Sequence, residues 1–332
     1  MRVPIVLSIV ASLALAIGFA LSVALGGPRT PAPMSSITSP FRGMDFSGLP
    51  PLSRFRARDG AALAYRLYPS ARAPPAGSAV LVHGSSAASA SLHPLAAALA
   101  RAGFTAFALE LRGHGDSGVK GRIAYVGQLE DDLEDFISAV APPNPRVLVG
   151  FSSGGGFALR FAGSERQKLF NGYLLLSPFL HQDADTARPQ SGGWAAVGVP
   201  RIAALGILNR FGISAFNELP VVAFALGEEE RKYLTPSYSY ALAVNFRPHD
   251  DYRGDMRAAR QPMEVLVGQE DEAFRAERFA GVFAKAGRPT PVTVVPGLGH
   301  VGLTVQPAGI EAVVSAVRRL SSRGKAAGAP PP

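Results

Sequence analysis

Between Ala79 and Leu320 short apolar runs alternate with helix-period segments, and few folds accommodate that alternation. Ala79–Val82, Thr105–Leu109, Arg146–Val149, Tyr173–Leu176, Met263–Val267 and Val292–Val295 read as strands. Leu92–Ala102, Val126–Val140, Ser153–Phe161, Ala276–Lys285 and Ala308–Leu320 read as helices between and after them. The strands are continuously apolar rather than alternating, as strands buried on both faces must be. Strand–helix repetition of this kind predicts an α/β fold with a mostly parallel central sheet and helices on both faces. A hydrophobic share of 47 % against 17 % charged residues suits such a core. Upstream, Arg54–Arg58 and Ala61–Tyr68 flank Asp59-Gly60, a hairpin turn signal. The alternation breaks between Ser177 and Gln261, where an apolar run at Trp194–Leu208 and an aromatic cluster of Tyr233, Tyr238 and Tyr240 occur. A long apolar insertion after a strand is expected to be a helical cap, here about residues 180–261.

The chemistry-bearing residues fall at strand ends. Gly150-Phe151-Ser152-Ser153-Gly154 is a G-x-S-x-G pattern between a strand and a helix. A serine there sits on a sharp turn above the sheet, with small neighbours and a helix N-terminus favouring negative charge. Ser152 is the expected nucleophile; for Ser153 the residue two earlier is Phe151, where the turn requires glycine. His83-Gly84-Ser85-Ser86 follows the strand Ala79–Val82, where a loop can aim a backbone N–H at the nucleophile. The Ser85 and Ser153 N–H groups are the expected oxyanion donors, and His83 a support of the loop. Gly297-Leu298-Gly299-His300 supplies the expected base, His300, in a glycine-rich loop after Val292–Val295. His93, His181 and His249 lack such a setting and read as surface or cap residues. The supporting acid should come one strand–helix unit earlier. Spacing after Gly268 favours Asp271, with Glu270 and Glu272 as alternatives and Asp183 or Asp185 more remote. The acids Glu130, Asp131, Asp132, Glu134 and Asp135 read as a solvated helix face.

The order Ser152, Asp271, His300 is that of α/β-hydrolases. The segment Glu110-Leu111-Arg112-Gly113-His114-Gly115-Asp116-Ser117-Gly118 resembles the R-G-H-G-x-S loop of the monoacylglycerol lipase and lysophospholipase branch, also called serine-aminopeptidase-like hydrolases. Tyr125–Ile137 resembles the helix that follows that loop, and the resemblance covers roughly Arg54 to Leu320. It implies an α/β-hydrolase fold and a serine hydrolase that cleaves a small lipophilic carboxylic ester, acylglycerol or lysophospholipid-like, through an acyl-enzyme. Two positions depart from the pattern: Phe151 stands where His is common, and Ser153 where Met is common. A peptidase acting on free N-termini is the alternative, with an amine held by Glu218, Glu228, Glu229 or Glu230. A catalytically silent, membrane-tethered binding module would carry a broken triad.

Residues 1–26 read as a membrane anchor or a signal peptide. Val3–Leu25 is free of charge and, at ~1.5 Å per residue, spans roughly 35 Å as a helix, enough for a ~30 Å hydrocarbon core. Ser22-Val23-Ala24 would serve as a cleavage site. The expected arrangement is a membrane-anchored protein with its catalytic domain outside the cytoplasm, or an exported one after cleavage. Residues 27–51, rich in Pro, Ser and Gly, read as an extended linker, 52–320 as the hydrolase domain and 321–332 as a disordered tail. With no cysteine, disulfides, thiolate catalysis and cysteine-ligated metals are excluded. The net charge of +8 is scattered with no basic block, which argues against nucleic acid. Neither H-E-x-x-H nor a G-x-G-x-x-G opening a βαβ unit occurs, so no metal and no cofactor is expected.

Overall fold

The computed structural model describes residues 2–41 and 44–327, without the side chains of 2–7, 9, 38, 190, 191 and 324–327. Strands β1 (Leu52–Arg56) and β2 (Ala62–Tyr68) form the hairpin expected at Asp59-Gly60, with Gly60 at φ +85°. There follow β3 (Ser78–Val82), β4 (Thr105–Leu109), β5 (Arg146–Phe151) and β6 (Gly172–Leu176). The cap insertion carries β7 (Ala195–Val197), β8 (Pro220–Phe224) and β9 (Ser237–Ser239), after which come β10 (Met263–Gly268) and β11 (Val292–Val295). Eight strands make one sheet in the order β1-β2-β4-β3-β5-β6-β10-β11, parallel except for β2, which runs against both neighbours.

Helices, again in chain order, are α1 (Arg2–Leu25), α2 (Ser35–Thr38), α3 (His93–Arg101), α4 (Gln128–Val140), α5 (Ser153–Ala162) and α6 (Val199–Arg210). The remainder are α7 (Glu230–Tyr233), α8 (Tyr240–Asn245), α9 (Tyr252–Ala258), α10 (Phe279–Lys285), α11 (Gly302–Val305) and α12 (Pro307–Ala327). Successive residues of β3 feed opposite faces: Val80 and Val82 join α4, α5 and α10 on one, Ala79 and Leu81 join α3 and α12 on the other. Each such fully buried Val or Leu contributes about 1.5–3 kcal/mol.

The order β4-β3-β5 matters most for function. The chain leaves β3 toward one side and returns as β5 on the other, so the loops after β3 and β5 diverge and leave a crevice at their carboxyl ends. Val82 pairs with Gly150, Phe151 with Leu176, Leu266 with Leu176, and Gly268 with Val295. The loops after β3, β5, β10 and β11 therefore exit along one edge.

Several expectations are revised. The cap has the expected helices but also a three-stranded antiparallel sheet, β7-β8-β9. The acidic run is not a solvated face: Glu130 and Asp132 are buried, paired with Arg160 and Arg112 respectively. Asp131, Glu134 and Asp135 clasp Arg58. Arginines from other elements supply counter-charge that a single-helix reading cannot register. His93 is also buried, its Nδ1 3.0 Å from the Tyr68 hydroxyl.

Residues 27–51 are not a free linker, because Met34 N–H donates to the Ala225 carbonyl and Ile37 packs on both cores. Helix α12 runs on to Ala327 through part of the expected tail, and 328–332 lie outside the described residues. Among the described residues no helix is long and apolar enough to cross a membrane, and of the expected run Val3–Leu25 the side chains of 3–7 and 9 are not among those described. Buried Arg201 ties α1 to the cap by donating to the carbonyls of Val23, Ala24 and Pro220 at 2.7–2.8 Å. The first two are helix-end carbonyls that lack an intrahelical donor.

Candidate active site

Ser152 lies between β5 and α5 at φ +55°, ψ −117°, a backbone region that L-residues rarely occupy. The residues two before and two after it must be glycine. A Cβ on Gly150 would lie 2.1 Å from the Gly154 carbonyl oxygen, and one on Gly154 2.4 Å from that of His83. The tight turn lifts the Ser152 hydroxyl off the end of the sheet at the N-terminus of α5.

His300 reaches it from the loop after β11. Its Nε2 is 3.0 Å from Ser152 Oγ, and its Nδ1 is 2.9 Å from Asp271 Oδ2. Asp271, in the loop after β10, accepts at Oδ1 from the N–H groups of Ala273 (2.8 Å) and Phe274 (2.9 Å). All three side chains are buried. Burial pulls the imidazole of His300 toward neutrality, but the charge and hydrogen bond of Asp271, with Glu272 nearby, outweigh it and raise its pKa above the ordinary value. Burial would raise the carboxyl of Asp271, yet the imidazole and the amide donors hold it below the usual range. The arrangement suits an imidazole that accepts the Ser152 proton and carries the resulting charge beside a fixed carboxylate.

Of the competing acids, only Asp271 meets the imidazole ring. Glu272 binds the His300 backbone N–H at 2.8 Å, and Asp185 pairs with Lys285. Ser85 and Ser153 both line the cavity next to Ser152, and neither N–H donates elsewhere among the described residues. His83 is buried and neutral, its pKa pushed down to about 4 by burial. It donates from Nδ1 to the Gly84 carbonyl (2.8 Å) and accepts the Leu111 N–H at Nε2 (3.3 Å), as a support of the loop should.

Above these residues lies a cavity of about 1090 Å³. Cap residues Trp194, Val197, Ile202, Val222 and Phe224 form one wall, and Phe151, Phe179 and Phe274 line it deeper in. Phe151 and Phe274 also pack on His300, with ring centroids 4.9 and 5.3 Å away. Arg188, Arg247, Arg275 and Glu230 are the charged lining residues.

Three contributions escaped the sequence reading. Ile37, Phe41 and Phe46 of the N-terminal segment line the cavity, hidden there by linker-like composition. Glu272 acts on the backbone of His300, a role for which spacing carries no signal. From the cap, Trp194 Nε1–H donates to Ser85 Oγ (2.8 Å) and the Tyr238 hydroxyl meets Ser86. The aromatic cluster flagged that region but not its partners.

Comparison with known proteins agrees with the fold. Residues 73–303 match the family described as serine aminopeptidase, S33. A monoacylglycerol lipase of Mycolicibacterium smegmatis is 34 % identical over 93 residues, 26 % of this chain; the matched stretch spans about a third (32 %) of that relative. A soluble variant of monoglyceride lipase from Saccharomyces cerevisiae, solved with a substrate analogue, superposes with a TM-score of 0.63 at 17 % identity, covering 82 % of this chain and 96 % of that one. A monoacylglycerol lipase from Paleococcus ferrophilus superposes with a TM-score of 0.55 at 21 % identity, covering 79 % and 99 %. At such identities the two structures speak to the fold alone. The family match runs from the start of the parallel strands to the histidine loop, and the chain belongs to the serine aminopeptidase S33 family of α/β-hydrolases.

Proposed function

We propose that this protein is a serine hydrolase of lipophilic carboxylic esters, acylglycerol or lysophospholipid-like, working through an acyl-enzyme. The observation that carries the reading is the hydrogen-bonded series Ser152 Oγ, His300 Nε2, His300 Nδ1, Asp271 Oδ2 at the floor of a large, mainly apolar cavity. Ser152 Oγ attacks the ester carbonyl while its proton passes to His300 Nε2. The Ser85 and Ser153 N–H groups receive the developing oxyanion. Collapse expels the alcohol, protonated by His300, and leaves an acyl group on Ser152. Water, deprotonated in turn by His300, releases the acid.

A peptidase reading draws on the family description and on Glu230 in the cavity wall. Three arginines against that one glutamate make the cavity a poor host for a free ammonium group. Hydrolysis of p-nitrophenyl acyl esters in preference to aminoacyl anilides, by one preparation, is the expected result. A Ser152→Ala variant should keep its melting temperature and lose both ester hydrolysis and fluorophosphonate labelling; labelling that survives places the nucleophile elsewhere. Anchoring through Val3–Leu25, with the catalytic domain outside the cytoplasm, belongs to the same proposal and rests on that apolar run alone. Recovery of the protein in the membrane fraction tests it.

A further inference from the structure

The loop carrying Ser85 is held from above by the cap. Ser86 stands at φ +68°, a left-handed conformation without glycine's freedom, so something must keep it there. Its backbone N–H donates to the Tyr238 hydroxyl at 2.6 Å. Its carbonyl accepts the Thr235 N–H at 2.8 Å, and its Oγ donates to the Thr235 carbonyl at 2.7 Å. All three bonds come from β9 and the chain entering it. The Tyr238 hydroxyl has one proton, and His114 Nε2 lies 2.6 Å away. Burial and the neighbouring His83 hold His114 well below the ordinary histidine pKa, so the ring is neutral; its Nδ1 faces a carbonyl and carries the proton, which leaves Nε2 as the acceptor. The hydroxyl thus accepts from Ser86 and donates to His114, whose Nδ1 faces the Arg112 carbonyl at 3.3 Å. Tyr238 is itself buried, with Phe224 against its ring at 4.7 Å.

We propose that Tyr238 is a positioning residue for the reaction: by bridging Ser86 N–H and His114 Nε2 it holds the 84–86 turn in the shape that aims the Ser85 N–H at the oxyanion. Resting on the ester-hydrolase reading, this gives the cap a part in building the oxyanion site as well as covering it. It also gives His114 a purpose, as the fixed acceptor that orients the tyrosine hydroxyl.

Tyr238→Phe removes the bridge and keeps the ring. For p-nitrophenyl butyrate, kcat should fall on the order of tenfold or more, within the 10²–10³ that loss of a whole oxyanion donor costs. KM should stay within about twofold, since the ring still packs as before and binding of the ester ground state does not use the oxyanion donors. A trifluoromethyl ketone, which Ser152 converts to a hemiketal alkoxide, should bind more weakly by the same factor as kcat falls. A folded variant with unchanged kcat, or with weakened turnover but unchanged ketone affinity, overturns the proposal. Amide hydrogen exchange on the unmodified protein gives a check that needs no variant. Ser86 N–H should exchange as slowly as the buried strands, and exchange at open-loop rates overturns the proposal as well. If the unmodified protein takes no fluorophosphonate label, the hydrolase reading fails instead, and the two failures are distinguishable.

Discussion

Ser152 occupies a backbone conformation that only its surroundings can enforce, and those surroundings are largely glycine. Gly154→Ala tests this at a single atom, because its Cβ would meet two carbonyl oxygens, of His83 and Val82, at 2.4 and 2.6 Å. Neither is the end of a flexible side chain, so the elbow must shift. Overpacking of this kind costs about 1–3 kcal/mol. A lowered melting temperature together with slower fluorophosphonate labelling is the expected outcome, and an unperturbed variant would contradict the packing described. At this scale the sequence was informative, since Ser152, His300 and Asp271 follow strands whose apolar runs are unmistakable. Glu272 shows where that reading stops: spacing favours Asp271 among three adjacent acids, but only the structure distinguishes a carboxylate on the ring from one on the backbone.

The loop after β10 fixes the charge state of the loop after β11. His300 must be neutral to accept a proton, and its pKa is raised, so kcat/KM should fall with dropping pH, through a value above that of an ordinary histidine. Part of that elevation comes from Glu272. Glu272→Gln removes a negative charge and keeps an oxygen for the His300 N–H. The imidazolium is then less favoured, the pKa falls, and the acid limb moves to lower pH. A pH–rate profile of the two proteins measures this, and a limb that stays put or moves upward refutes the electrostatic assignment. Among elements, the long strands of the parallel sheet were legible to within a residue or two. Strands β7 and β9 were not, because three residues are too few for either period to register. The buried acids of α4 were misread for a related reason, their counter-charges lying on other elements.

The whole molecule adds a component from outside the hydrolase core. Ile37 and Phe41 line the cavity, yet both precede the residues 73–303 that carry the family pattern. Replacing both by alanine should remove apolar contact from long acyl chains and leave short ones untouched. At ~0.8 kcal/mol per buried CH₂ and 1.4 kcal/mol per factor of ten, the dodecanoate-to-butyrate ratio of kcat/KM should drop roughly tenfold. A chain-length series of p-nitrophenyl esters reads this directly, and an unchanged profile places the acyl group against another wall. The N-terminal residues were illegible as a wall because Pro, Ser and Gly dominate their composition. Their few apolar side chains acquire meaning only against a surface hundreds of residues away in sequence.

Proteins that agree at every motif position can therefore differ in what they accept, since this chain closes its chamber partly with residues that no motif includes. Taste in substrates, for such a protein, is an inheritance of the peripheral sequence, free to drift while the chemistry beneath stays put.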